Sequence, residues 1–97
     1  MIKTLDDVKQ YRKLLPPSLD YDGNPVNYDT AVWCSRNQDG LYDYAEGTFL
    51  GDVYQLLRNT TSDEDRVEIW HFWLDVVDLD DEESALAKRS MGYEGEG

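Results

Sequence analysis

The sequence predicts a small single α+β domain in which an antiparallel β-hairpin packs against helices. Its hydrophobic content of 40% and aromatic content of 12% suffice for a core, although 31% of the residues are charged. Several segments repeat apolar residues with helical periodicity, and one alternates before an Asp-Gly pair, as hairpins do. A chain of 97 residues has the size of one domain, and we expect 1–97 to form it, with a frayed tail at 91–97.

The first helix is predicted to begin after Thr4. Its hydroxyl can accept a hydrogen bond from the first turn, and Asp7 stands where it completes a capping box. Pro16 and Pro17 end the helix, because proline lacks the amide hydrogen that the helix interior needs. The apolar stripe consists of Leu5, Val8, Tyr11, Leu14 and Leu15.

The hairpin is predicted over residues 27–47. Side chains alternate along 27–36, and the Asp-Gly pair within 37–40 is favoured in tight turns. Residues 41–47 then return as the second strand. One face of the first strand carries Tyr28, Thr30, Val32 and Cys34.

Two further helices are predicted on either side of the most acidic segment. Residues 80–91 have an acidic first turn and a basic last turn, an arrangement that the helix dipole favours. Residues 48–59 form an amphipathic helix with Gly51 on its polar side. Its apolar arc consists of Phe49, Leu50, Val53, Tyr54, Leu56 and Leu57.

Residues 62–78 are predicted to form the longest helix, with Ser62 as its N-cap. Trp70 and Trp73 flank a polar stripe on the helical wheel, so we expect both to be structural. The β-forming residues of 67–76 also permit a strand, which would make a three-stranded sheet with the hairpin. The stripe, at spacings of four, three, four and three residues, consists of Glu64, Glu68, His71, Asp75 and Asp78.

The net charge of −12 is concentrated in one part of the chain. Residues 62–83 contain ten acids and one base, so they carry −9 of it. A general adaptation to salt would spread the charge more evenly. An excess of this sign repels nucleic acid and anionic lipid, which excludes both as direct ligands, and it attracts basic protein surfaces.

Carboxylates at one-turn steps resemble a row of phosphates. Neighbouring stripe positions lie about 4–6 Å apart along a helix axis, and a nucleic-acid strand carries one charge per about 3.4 Å. The acidic group 80–83 prolongs this row. The alternative is an ordinary solvated helix face. The predicted partner-binding residues are Glu64, Glu68, Asp75 and Asp78 on the stripe, and Asp20, Asp22 and Asp29 in a second acidic group.

The sequence does not favour catalysis, a cofactor or a metal site. Cys34 is the single cysteine, and His71 is the single histidine, which we expect at the surface with a raised pKa. A Cys34–His71 dyad has no supporting local motif. The segment DYDGN resembles part of a calcium loop, but Gly23 is misplaced for an EF-hand. We therefore expect a binding protein and not an enzyme.

Two segments carry a resemblance to a known family. MIKTLDDVKQYRKLLPP and EIWHFWLDVVDLDDEES resemble the phage-encoded anti-CRISPR proteins of the DNA-mimic kind that act on type I-F systems. The resemblance implies a cofactor-free inhibitor in the host bacterial cytoplasm. Its partner would be the basic, DNA-receiving site on the large, Cas8-type subunit of the surveillance complex. The lack of a signal-peptide core in MIKTLDDVKQY and of any membrane-length apolar run agrees with a cytoplasmic location.

The residues alone leave the partner open. The acidic surface also suits a restriction enzyme, a nuclease, a histone-like protein or RNA polymerase. A second class of function is a binding module that is acidic for solubility only and meets its partner through aromatic residues. Salt separates the two classes, because screening weakens electrostatic binding far more than apolar contact.

Overall fold

Among the described residues, the fold is built around one central helix against which the other helices pack. The computed structural model describes residues 1–16, 19, 22–25, 27–37 and 44–93. Helix α4 lies at the centre and contacts every other helix. The helices of the described residues are α1 (Leu5–Arg12), α2 (Tyr28–Arg36), α3 (Phe49–Asn59), α4 (Asp63–Val77) and α5 (Asp81–Ser90).

The α+β prediction is wrong, because the described residues contain no strand and no sheet. The only β-type pairing among them is an isolated antiparallel bridge between Leu19 and Pro25. The segment predicted as the first hairpin strand is α2. The Asp-Gly turn and the first three residues of the predicted second strand lie outside the described residues, and the described remainder, 44–47, is not a strand.

Helix α2 forms because its ends and its buried face both suit a helix. The Asn27 side chain accepts hydrogen bonds from the backbone amides of Asp29 and Thr30, which caps the first turn. Ala31 and Ser35, four residues apart, are fully buried, and their small side chains let α2 approach the core closely. The alternation of side chains over 27–36 is therefore coincidental. The burial of residues at helical spacing determines that this segment is a helix.

Helix α1 has the predicted capping box. The Thr4 hydroxyl accepts from the Asp7 amide, and the Asp7 carboxylate accepts from the Thr4 amide at 3.1 Å. The helix ends at Arg12, earlier than the proline pair, in a turn where the Leu14 amide donates to the Tyr11 carbonyl. Leu14 is consequently 76% exposed, although the predicted stripe included it.

Helices α3 and α4 bury the apolar residues that the sequence predicts for their inner faces. Phe49 of α3 lies edge-on to Phe72 of α4, with ring centroids 5.8 Å apart. Trp70 and Trp73 stack at 4.9 Å between centroids, with Trp70 buried and Trp73 half-buried. The strand alternative for 67–76 is therefore wrong.

The tail does not fray at its start. Met91 and Tyr93 are buried, and the Tyr93 hydroxyl donates to the Asp52 carboxylate at 2.6 Å while accepting from the Ile2 amide at 2.7 Å. These bonds join the two ends of the described chain to α3. Residues 94–97 lie outside the described residues.

Candidate functional site

The predicted acidic stripe of α4 lies on one face, as expected for a helix, but α1 covers its middle. The Arg12 guanidinium reaches across from α1 to contact two stripe carboxylates. Its Nη1 lies 2.9 Å from Glu68 Oε2, and its Nε lies 3.2 Å from Asp75 Oδ2. Asp75 is only 1% exposed, so a partner protein has no access to it.

His71 belongs to the same partly buried polar cluster. Arg12 Nη2 donates to His71 Nδ1 at 3.1 Å, which places the imidazole hydrogen on Nε2. Burial lowers the pKa of His71, and the neighbouring Arg12 charge lowers it further, against the opposing effect of Asp75 and Glu68. The prediction of a surface histidine with a raised pKa is therefore wrong.

Arg12 is the residue that sequence reasoning missed. No lysine or arginine lies on the stripe itself, and this suggested carboxylates without partners. The compensating charge comes from α1, whose last turn contains Arg12. A sequence signal existed in retrospect: Arg12 follows Val8 by one helical turn, so it lies on the face that α1 buries.

The outer stripe residues Glu64 and Asp78 are exposed, but they stand at opposite ends of α4. Fourteen residues separate them, which corresponds to roughly 21 Å along the helix axis. With Asp75 buried and Glu68 paired, the stripe does not present a continuous row of carboxylates. The geometry therefore moves the candidate surface away from the middle of α4.

Five exposed carboxylates cluster where α4 ends and α5 begins. We call this cluster the acidic ridge, and it consists of Asp78, Asp80, Asp81, Glu82 and Glu83. Within the described part of the chain, none of the five forms an ion pair with lysine or arginine. The ridge is thus the densest patch of uncompensated charge that the structure presents.

Local helix chemistry explains how the ridge is held in place. The Asp80 side chain caps α5 by accepting from the Glu83 amide at 2.7 Å, and this bond lowers the pKa of Asp80. The Glu83 carboxyl lies against Asp80, so hydrogen bonding and repulsion between the two raise the pKa of Glu83. Acids in a first helical turn also interact favourably with the helix dipole. The ridge therefore sits on an ordered helix start.

The remaining predicted partner-binding residues are those of the second acidic group. Asp22 and Asp29 are exposed, the latter in the first turn of α2, and Asp20 lies outside the described residues. Asp63 near the start of α4 is neutralised by Arg36, with a shortest distance of 2.6 Å. This exposed pair and the Arg12 cluster remove part of the charge that the sequence assigned to 62–83.

The described residues offer little for catalysis or for metal binding. No group of three or more histidine, cysteine, aspartate or glutamate side chains in the described ranges could hold a metal ion. Cys34 is partly buried on α2, and His71 uses Nδ1 to accept from Arg12. None of the helices in this part of the chain has the length and apolarity to span a membrane.

Comparison with protein-family models, with curated proteins and with solved structures finds no match to this chain. The resemblance to anti-CRISPR proteins accordingly stays a prediction.

Proposed function

We propose that this protein inhibits a DNA-binding protein by occupying the basic surface that receives DNA. Its specific target, on the resemblance of its sequence, is the Cas8-type subunit of a type I-F surveillance complex. The observation that carries the proposal is the acidic ridge, five exposed carboxylates within six residues of a chain with net charge −12. Lysine and arginine side chains that bind DNA phosphates would bind these carboxylates in the same way.

The buried cluster under Arg12 changes the form of the mimicry. The DNA-mimicking surface is the compact acidic ridge at the junction of α4 and α5, and Glu64 lies far from it at the other end of α4. The regular row of carboxylates that the stripe predicted is absent from the described residues. A patch of this kind competes with the few phosphates next to one recognition point and not with a long stretch of duplex. It needs no cofactor, because the interaction consists of charge-assisted hydrogen bonds between side chains.

A mobility-shift assay tests this function. Purified type I-F complex is incubated with the protein before labelled target DNA is added, and the shifted DNA band should disappear. Raising the salt concentration should weaken the protein's binding to the complex steeply, because screening acts on every carboxylate–base contact. A complex that binds DNA normally with the protein still attached contradicts direct competition.

A second candidate function follows from two exposed aromatic residues on α2. Trp33 is 66% exposed and Tyr28 is 53% exposed, and aromatic side chains of this kind anchor many protein interfaces. In this alternative the protein is an adaptor that binds through α2 and is acidic for solubility. Capture of a partner that survives high salt and is lost in Trp33→Ser would favour the adaptor over the mimic.

A further inference from the structure

An open apolar groove runs between the end of α1 and one face of α5. It has a volume of about 350 Å³, within the range of roughly 300–1,000 Å³ that is typical of ligand pockets. Its lining is mainly aliphatic, and Glu83 of the acidic ridge is its one charged residue. The groove is lined by Tyr11, Leu14, Leu15, Leu79, Leu86 and Met91, among others.

Two of the exposed leucines of the described residues line this groove. Leu14 is 76% exposed and Leu86 is 56% exposed, and α5 contributes no fully buried residue to the core. Two large aliphatic side chains that line one open groove form a contiguous apolar patch, which is more typical of a binding site than scattered apolar residues are. Helix α5 thus keeps an apolar face without a covering element from the described residues.

The charge around the groove decides what fits there. Glu83 lines it, and the other ridge carboxylates flank it on the same helix start. A second copy of this chain would bring its own ridge towards this one, and an anionic lipid surface would be repelled as well. A partner segment with an apolar stripe flanked by lysine or arginine could contact the leucines with its stripe and the carboxylates with its positive charges.

We propose that this groove binds an amphipathic basic helix of the partner protein. The apolar lining that α5 and the end of α1 contribute suits a helix with apolar side chains at i, i+3, i+4 and i+7. Helix α5 has ten residues, so it offers a wall about 15 Å long, enough for about three turns. The inference rests on the proposed function in one respect, since it names the kind of surface that the acidic ridge meets.

A designed peptide tests the groove without the surveillance complex. The probe is a fluorescently labelled helix of about 14 residues with leucine at i, i+3, i+4 and i+7 and lysine or alanine elsewhere. Fluorescence anisotropy should show binding, and a permuted peptide of the same composition should bind at least about tenfold more weakly. Equal binding of the permuted peptide would show simple charge attraction and would overturn the groove proposal.

Variants assign the binding to the groove. The double variant Leu14→Ser with Leu86→Ser should bind the probe on the order of tenfold or more weakly, since the apolar contacts of both leucines are lost. Val77→Ser, at an exposed apolar residue that does not line the groove, is the matched control and should change binding less than about twofold. Unchanged affinity in the double leucine variant overturns the proposal.

Two measurements on the unaltered protein keep the test independent of variant folding. Amide chemical-shift changes on adding the probe should concentrate at the groove residues Tyr11, Leu79 and Ala87, and changes confined to α2 would overturn the proposal. Sedimentation of the protein alone should show a monomer, and a dimer that the double leucine variant abolishes would make a second copy the occupant. Probe binding together with a failed DNA competition assay would refute the CRISPR target and leave the groove standing.

Discussion

Arg12 contacts three polar side chains of α4 at once, although Asp75 Oδ1 and His71 Nε2 have no hydrogen-bond partner among the described residues. It forms ion pairs with Glu68 and Asp75 and donates to His71. Charged groups in a core are tolerated only when they are paired, because removal from water is costly. The cluster therefore fixes α1 against the one polar side of an otherwise apolar helix.

Replacing Arg12 with alanine should destabilise the protein strongly. The change leaves the carboxylate of Asp75 buried without its partner, and we expect a loss of about 2–4 kcal/mol in the free energy of unfolding, given that Arg12 is itself partly exposed. Urea denaturation measures it. Arg36→Ala, which breaks the exposed pair with Asp63, is the control and should cost less than about 1 kcal/mol. Similar losses in the two variants would show that the Arg12 cluster is an ordinary surface network.

His71 should make stability depend on pH. Its pKa is lowered in the folded protein from the ordinary value of 6.5, so the unfolded chain binds more protons between these two pKa values. The stabilisation from neutral His71 is thus present above about pH 6.5 and is lost as the pH falls through that window.

Melting temperatures of the wild type and of His71→Asn between about pH 7.5 and 5.5 check this, because the asparagine oxygen can still accept from Arg12. The wild type should lose more stability on acidification than the variant, and other titrating groups cancel in the comparison. Parallel curves for the two proteins would contradict the assignment.

Among the elements, α3 contains a glycine whose place the sequence pattern did not reveal. Gly51 was expected on the polar side of the helix, yet it is buried, and a Cβ built there would lie 2.0 Å from the Ala45 carbonyl oxygen. The loop before α3 passes over Gly51 at this point. No periodicity of apolar residues signals such a close backbone approach.

Gly51→Ala should therefore destabilise the protein, although alanine at an ordinary exposed helix position adds up to about 1 kcal/mol of stability. We expect a net loss of about 1–3 kcal/mol, which is the usual cost of overpacking. Gln55→Ala in the same helix is the control and should lie within about 0.5 kcal/mol of the wild type. Thermal unfolding gives the comparison, and a stabilised Gly51→Ala protein would mean that the loop can move aside.

Sequence reasoning located α1, α3 and α5, each with a capped first turn, and also α4, whose Ser62 side chain makes no capping hydrogen bond. Thr4 with Asp7 marks the start of α1, Thr48 caps α3, and Asp80 caps α5. Helix α2 was missed although Asn27 caps it, because the side chains of 27–36 alternate in sequence as those of a strand do. Its identity depends on Ala31 and Ser35 packing in the core, a tertiary effect that propensity does not contain.

The candidate site was predictable only in part, for a related reason. The charge run at 80–83 is visible in the sequence, and it supplies four of the five carboxylates of the acidic ridge. Pairing across elements is not visible: nothing near Asp75 in the chain indicates Arg12. The sequence did not indicate the groove either, since Leu14 was predicted to lie in the core and Leu86 was given no role, whereas both are exposed.

At the scale of the whole molecule, pairing redistributes the charge that the sequence displays. Residues 62–83 hold −9 of the net −12, but Arg12 and Arg36 bind three of their carboxylates. What stays exposed is weighted towards one end of α4 and the start of α5. The central claim is that this local patch, and not net charge in general, competes with DNA.

The most direct test compares two charge reversals of equal size in the DNA competition assay. Asp81→Lys with Glu82→Lys reverses two ridge carboxylates, and Asp6→Lys with Glu46→Lys reverses two exposed carboxylates elsewhere, one of them also in a first helical turn. Melting temperatures and circular dichroism first establish that both variants fold.

The ridge reversal should raise the protein concentration needed for half-inhibition of DNA binding by roughly tenfold to a hundredfold, because lost attraction and new repulsion act together. The control reversal should change that concentration by less than about threefold, through the weaker long-range field alone. Equal effects of the two reversals, or full inhibition by the ridge variant, would contradict the claim that the acidic ridge is the DNA-mimicking surface.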